Sequence, residues 1–183
     1  WRLDDAFAPM VDGLLKNNGR EGLGDKFGEG AQHITLGHIL HMTSGLPDYD
    51  TSWDEGDSWR FSQYKHALHD FGPFEIFDRL PSQLLFAPGT RQMYCSTGYV
   101  LLGLALAQQQ GGVEASWEAY DQRKVLPAEI LKAGVRFADH GPCAQYTAVH
   151  GYDRMGPPVR PMELRNSLDV WNISCLGGWT AGN

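Results

Sequence analysis

Hydrophobic positions along the chain form short helical stripes arranged around one fully apolar run. From Tyr99 to Ala107 nearly every position is apolar, the pattern of a helix buried on all sides. Ser96 or Thr97 can cap its start by accepting a backbone N–H. Gly111-Gly112 can end it through a left-handed C-cap. The run is much shorter than the roughly 20 residues a bilayer span requires, so it predicts the central helix of a core. The polar Tyr94-Cys95-Ser96 at its mouth reads in two ways. It is either the plain start of a capped core helix or a set of side chains held rigidly at a pocket.

Around this run the other elements can be placed in order. Asp4-Asp5 can cap a helix carrying Phe7, Met10, Val11, Leu14 and Leu15 on one side, with Pro9 admissible only near its start. The glycine-rich tract 17–30 reads as loop. Thr35 caps a short helix whose apolar stripe is Leu36, Ile39 and Leu40, ending at Thr43-Ser44-Gly45 with Pro47 just beyond. Residues 48–56 are acidic and turn-prone and predict an exposed loop, whereas Pro73 to Leu80 predicts a helix. After Gly112 a second amphipathic helix, from about Glu114 to Val125, would show Trp117, Tyr120 and Val125 and close at Pro127. Residues 134–161 have no clean period and predict irregular structure with short hairpins. Helices outnumber candidate strands, and no repeat or linker divides the chain.

Composition narrows the class. The chain has 183 residues, enough for one domain with a hydrophobic core. Its net charge is −7 without any block of Lys and Arg, which argues against a nucleic-acid partner. No segment is long and apolar enough for a membrane span, and the first residues lack the basic and apolar parts of a signal peptide. The opening Trp1, in place of Met, suggests an internal segment. Cys95, Cys143 and Cys175 are odd in number and lack metal-type spacing, against both a disulfide framework and a zinc site. His38 and His41, like His66 and His69, stand three apart and could share a metal on a helix, and His150 is close to Asp153. No third ligand follows at suitable spacing, so neither metal nor other cofactor is expected.

Three segments occur here in the order found in the serine β-lactamase and penicillin-binding-protein-like superfamily, in its class C β-lactamase, esterase and D,D-peptidase branch. Ile34 to Tyr49, with Thr35, Leu40, Ser44-Gly45-Leu46 and Pro47, resembles that family's Thr-x-x-x-Leu-Leu-x-His-x-Ser-Gly-Leu segment. Pro88-Gly89 followed by Tyr94-Cys95-Ser96 and Leu101-Leu102-Gly103 is similar to its Pro-Gly-x-x-x-x-Tyr-x-Asn-x-x-x-x-Leu-Leu-Gly block. Leu3-Asp4-Asp5 and Leu176-Gly177-Gly178-Trp179 resemble its flanking landmarks. The match touches both ends of the chain and is weakest over 52–72 and 134–161. Each motif alone is weak; the ordered set is specific.

The resemblance implies an α+β fold of the β-lactamase/transpeptidase type, an antiparallel sheet covered by helices beside a mainly helical subdomain. Residues 1–183 would be a partial domain, chiefly that helical subdomain, mainly α with long irregular loops. It also implies a Ser-x-x-Lys nucleophile before Leu-Asp-Asp and a Lys-Thr-Gly-like triad beyond Gly-Gly, both outside this chain. Tyr94 inherits the role of general base or proton relay, and Ser96 that of a substrate or Lys contact. Ser96 stands where the family has Asn and offers one hydroxyl on a shorter arm in place of an amide. This favours an esterase, a peptidase or an inactive relative over a β-lactamase. The expected function is thus an internal part of a serine hydrolase forming an acyl-enzyme on a small ester or amide, unable to catalyse by itself. The alternative is a non-catalytic scaffold or interaction subunit. In either case the rest of the parent domain, or a protein partner, should cover the central helix.

Several matches point elsewhere. Ser62-Gln63-Tyr64-Lys65 satisfies Ser-x-x-Lys but follows the Ser-Gly-Leu segment, where the family has no nucleophile, and chance supplies such a pattern readily. Cys95 has no His clearly paired with it and is expected to pack into the wall. Ser44 is expected in a helix-terminal turn, and His41 in a hydrogen-bonded position supporting the core.

Overall fold

The computed structural model describes residues 1–49, 62, 66, 68–132, 152–154 and 167–169. Helices dominate them. In chain order they are α1 (Ala8–Asn17), α2 (Leu23–Phe27), a 3₁₀ turn (Glu29–His33), α3 (Leu36–Leu40), α4 (Pro73–Arg79), α5 (Ser96–Gly111), a second 3₁₀ turn (Gln122–Val125) and α6 (Ala128–Lys132). Two short strands, β1 (Tyr152–Arg154) and β2 (Ser167–Asp169), pair antiparallel with Asp153 opposite Leu168.

The expected central run is the long helix α5, packed against α1, α3 and α4. Leu101, Leu104 and Ala105 are fully buried in the main cluster with Phe7, Val11, Leu14, Leu15, Leu23 and Ile34. Its C-cap, Gly112, takes a φ of +77° as expected, although its ψ of −170° is extended and not left-handed helical. Tyr99 remains 40% exposed, and Leu102, Gly103 and Leu106 are half-buried. These four positions, three and four apart, lie on one face. Burial on all sides therefore holds except along that stripe.

One side-chain amide locks α5 to α1. Gln108 Oε1 accepts the Leu14 N–H at 2.6 Å, while its Nε2 donates to the Pro9 carbonyl at 3.1 Å. The approach depends on Gly13, because a Cβ there would strike the side chains of Val113 and Gln108.

Several local expectations are corrected. Asp4-Asp5 does not cap α1, which begins with Phe7 at the N-cap and no side-chain bond. Asp5 instead accepts the Arg2 N–H at 2.7 Å, and Asp4 pairs with the Arg2 side chain. With Pro9 in the first turn one donor is already absent, which lowers the need for a cap. The segment after Leu3 runs alongside residues 34–37, with Gly37 N–H to Leu3 O at 2.7 Å and Phe7 N–H to Ile34 O at 2.8 Å.

The tract 17–30 is not all loop. Leu23 and Phe27, four apart and both buried, draw out α2, and Asp12 Oδ1 accepts the Leu23 N–H at 2.9 Å in place of a local cap. Burial raises the Asp12 pKa above its ordinary value, opposed by that hydrogen bond. Arg20 then grips Asp78 on α4 through both nitrogens of its outer edge, at 3.3 and 3.0 Å, while stacking over Phe74.

The helix expected over 114–125 is replaced by a succession of i→i+3 turns, with Ala119 N–H on Ser116 O and Tyr120 N–H on Trp117 O, before the second 3₁₀ turn. Trp117 and Tyr120 still pack on the core. Two anchors three residues apart can be presented by tight turns as well as by an α-helix, so the period does not separate the two. The helix expected from Pro73 is present as α4, whose Phe77 meets Phe27 edge to face at 5.9 Å.

Candidate active site

The site grows from two chain segments running side by side. Thr35 caps α3 as expected: its Oγ1 accepts the His38 N–H while His38 Nδ1 accepts the Thr35 N–H, both at 3.2 Å. The helix stops at Leu40, earlier than expected, and Met42 turns the chain with a φ of +56°. Residues 41–45 are then bonded across to 85–93. Leu85 N–H reaches Gly45 O at 2.8 Å, Gly89 N–H reaches Thr43 O at 2.8 Å, and Met93 N–H reaches Met42 O at 3.0 Å. Gly45 has a φ of +79°, and a Cβ there would collide with the Phe86 carbonyl, so only glycine suits the position.

Beyond Met93 the two segments close into a knot at the tip of α5. Cys95 Sγ lies 3.4 Å from Leu46 O, Ser96 N–H donates to Asp48 Oδ1 at 3.1 Å, and Tyr49 N–H donates to Thr97 Oγ1 at 3.1 Å. The expected capping by Ser96 or Thr97 is thereby corrected. Ser96 is the first helical residue, Cys95 occupies the N-cap without a capping bond, and Thr97 is turned toward Tyr49. The acceptor comes from Asp48, 48 residues earlier.

Asp48 is the residue that sequence reasoning missed. Its acidic, turn-prone surroundings predict an exposed loop, yet it is buried. No local signal marks it, because Ser96 and Thr97 at the helix start read as ready caps and hide the need for a distant acceptor. Nothing in the pattern tells which carboxylate provides it.

Tyr94 and Ser96 meet at the same helix tip but differ in access. Tyr94 is 62% exposed, whereas Ser96 is 8% exposed with its N–H held by Asp48. Cys95 packs into the wall as expected. Burial above all, aided by the charge of Asp48, pushes its thiol up to about 11, the opposite of what a nucleophile needs.

The remaining polar candidates resolve into local contacts. Ser44 is buried in a turn, its Oγ accepting the Leu46 N–H at 3.3 Å. His41 is exposed, and the hydrogen-bonded structural role expected for it falls to His38. The Ser62 hydroxyl accepts from Arg79 at 2.8 Å, and His69 pairs with Glu75 at 3.0 Å. Among the described residues no three His, Cys, Asp or Glu side chains converge as metal ligands. Gln63 to Lys65, Cys143, His150, Cys175 and the Leu176-Gly177-Gly178-Trp179 landmark lie outside the described residues.

A family model described as Beta-lactamase matches residues 2–180. The chain belongs to this family. The β-lactamase-family fold extends to solved structures of low identity. A D-stereospecific amidohydrolase from a Streptomyces species matches over 100% of this chain and 56% of its own, with a TM-score of 0.53 and 17% identity. A penicillin-binding protein from Bacillus halodurans matches over 95% of this chain and 48% of its own, with a TM-score of 0.50 and 18% identity. In sequence, 110 residues are 34% identical to a penicillin-binding protein of Bacillus subtilis, covering 54% of this chain and 22% of that protein. The chain thus spans about half the length of the two solved structures, and its alignment to the curated relative about a fifth. The β-lactamase/transpeptidase-like fold expected from the motifs stands, and the described residues are mostly its helical elements. Among them no helix is long and apolar enough to cross a membrane.

Proposed function

We propose that this β-lactamase-family chain is the Tyr94-bearing part of a serine hydrolase that works through an acyl-enzyme on a small ester or amide. In this reading residues 1–183 are the central, mostly helical part of one domain, and the Ser-x-x-Lys nucleophile and the Lys-Thr-Gly-like strand belong to sequence beyond them. The carrying observation is an exposed phenol at the tip of a buried helix, between backbone positions that are tied on both sides.

A serine hydroxyl attacks a carbonyl only as a neighbouring base takes its proton. The phenol of Tyr94 would relay that proton, passing its own to a neighbouring Lys of the assembled site as it accepts the serine's, and would return it to the departing alcohol or amine. Water would then attack the acyl ester with the proton moving by the same route. Ser96, short and buried, would contact the Lys or the substrate through one hydroxyl at most.

The test is Tyr94→Phe in the full-length protein, assayed on an activated ester such as p-nitrophenyl acetate. The expected loss is about 100-fold or more in kcat, the usual worth of a positioned acid–base group. An unchanged kcat removes Tyr94 from the mechanism.

The burial of Ser96, together with its replacement of Asn, favours a second reading, a non-catalytic scaffold on the same fold. Stoichiometric labelling of the full-length protein by a fluorophosphonate or a fluorescent penicillin is incompatible with it.

A further inference from the structure

We infer that Asp48 is a positioning residue for Tyr94, holding the tip of α5 so that the phenol is presented from a fixed backbone. The inference rests on the catalytic reading of Tyr94 given above. Its basis is the way the backbone around Tyr94 is secured. On one side Met93 N–H is bonded to Met42 O at 3.0 Å. On the other, Cys95 is held by its side chain against Leu46 O, and Ser96 N–H ends on Asp48 Oδ1 at 3.1 Å. Tyr94 therefore lies between two anchored positions while its side chain is 62% exposed.

Without Asp48 the first N–H of α5 loses its acceptor in a buried setting. Neither neighbour replaces it, because Cys95 makes no capping bond and Thr97 Oγ1 is engaged with Tyr49. An unsatisfied tip would unwind by a turn, since helix ends are where α-helices open first. Tyr94, two residues before the bond, would move with it. A misplacement of about 1 Å at a reacting group can cost on the order of 100-fold in rate. Thr97 contributes from the other side: its bond to Tyr49 N–H keeps the 46–49 segment, and with it Asp48, against the helix.

The experiment is a double-mutant cycle in the full-length protein, with kcat and KM measured on p-nitrophenyl acetate for Asp48→Ala, Tyr94→Phe and the pair. Asp48→Ala is expected to lower kcat at least tenfold with KM changed less than threefold. In the Tyr94→Phe background it is expected to lower kcat no further. Asp48→Asn keeps an acceptor oxygen at the same reach and should restore kcat to within threefold of the parent.

A full additional loss on the Tyr94→Phe background, or a fall in melting temperature with kcat unchanged, overturns the positioning role and leaves Tyr94 in place. An unchanged kcat in Tyr94→Phe alone, or a parent protein that turns over no ester, overturns the catalytic reading itself and the inference with it. If Asp48→Ala does not fold, Thr97→Val takes its place in the cycle. It removes the Tyr49 bond at constant shape and should show the same non-additivity, whereas additive losses overturn the inference.

Discussion

Cys95 shows how much one buried residue at the helix tip can reveal. Its thiol is 3% exposed and pushed from 9.0 up to about 11, chiefly by burial and further by the charge of Asp48. A folded-state pKa above the unfolded one stabilises the fold fully below pH 9, and the contribution is lost as pH climbs toward 11. The loss over that window is on the order of 2–3 kcal/mol. Urea midpoints of the parent and of Cys95→Ala, compared at pH 8 and 10.5, should diverge in their pH dependence by about that amount. Parallel curves would mean that the thiol is not what the fold keeps neutral. Gly45 illustrates the complementary case, a position where conformation rather than charge fixes the residue. Its positive φ and the nearby Phe86 carbonyl leave no room for any side chain.

Among the elements, the α1–α5 pair is the one that the fold depends on most. Gln108 bonds α1 through both ends of its amide, and its acceptor faces the N–H of the fully buried Leu14. Gln108→Ala should cost about 1–3 kcal/mol, the loss of the two hydrogen bonds its amide makes to α1 at about 0.5–1.5 kcal/mol each. Gln108→Glu retains the acceptor for Leu14 and should lose less than Ala at low pH, where the acid is neutral. Equal losses for both variants would place the effect in packing alone.

The same elements show what the sequence makes legible. α3, α4 and α5 were readable because their signals are local: Thr35 before an apolar stripe, Pro73 in a first turn, and a continuous apolar run closed by glycine. The position of Tyr94 and Ser96 at one helix tip is legible for the same reason. The failures at α2 and at the tip of α5 are non-local. Asp12 initiates α2 from eleven residues upstream, and Asp48 caps α5 from 48 residues upstream. Neither is visible to a window that slides along the chain. The turns carrying Trp117 and Tyr120 escaped because a spacing of three suits two kinds of helix equally.

At the scale of the whole molecule, the open stripe on α5 sets the behaviour of these 183 residues taken by themselves. Tyr99 is 40% exposed beside half-buried Leu102 and Leu106, and Tyr94 and Met93 extend the apolar surface at the tip. Each large apolar side chain left in water forfeits up to roughly 1.5–3 kcal/mol, and several rival the stability of a domain. Expressed as these residues alone, the chain should bind a hydrophobic dye and melt without a cooperative transition. A single sharp calorimetric transition would show that the core of α1, α3, α4 and α5 suffices.

The knot at the tip of α5 also bears on time. The middle of a helix forms from neighbours within a microsecond. Joining Asp48 to Ser96 must first close a loop of 48 residues, at an entropic cost of about 3 kcal/mol beyond the constant term. The middle of α5 can therefore be wound before its own first turn, next to Tyr94, is secured. Synthesis order reinforces this sequence: the 46–49 segment leaves the ribosome well before α5 and waits for it. The core of α5 thus depends on near neighbours, and its tip on a contact with a segment made 48 residues earlier.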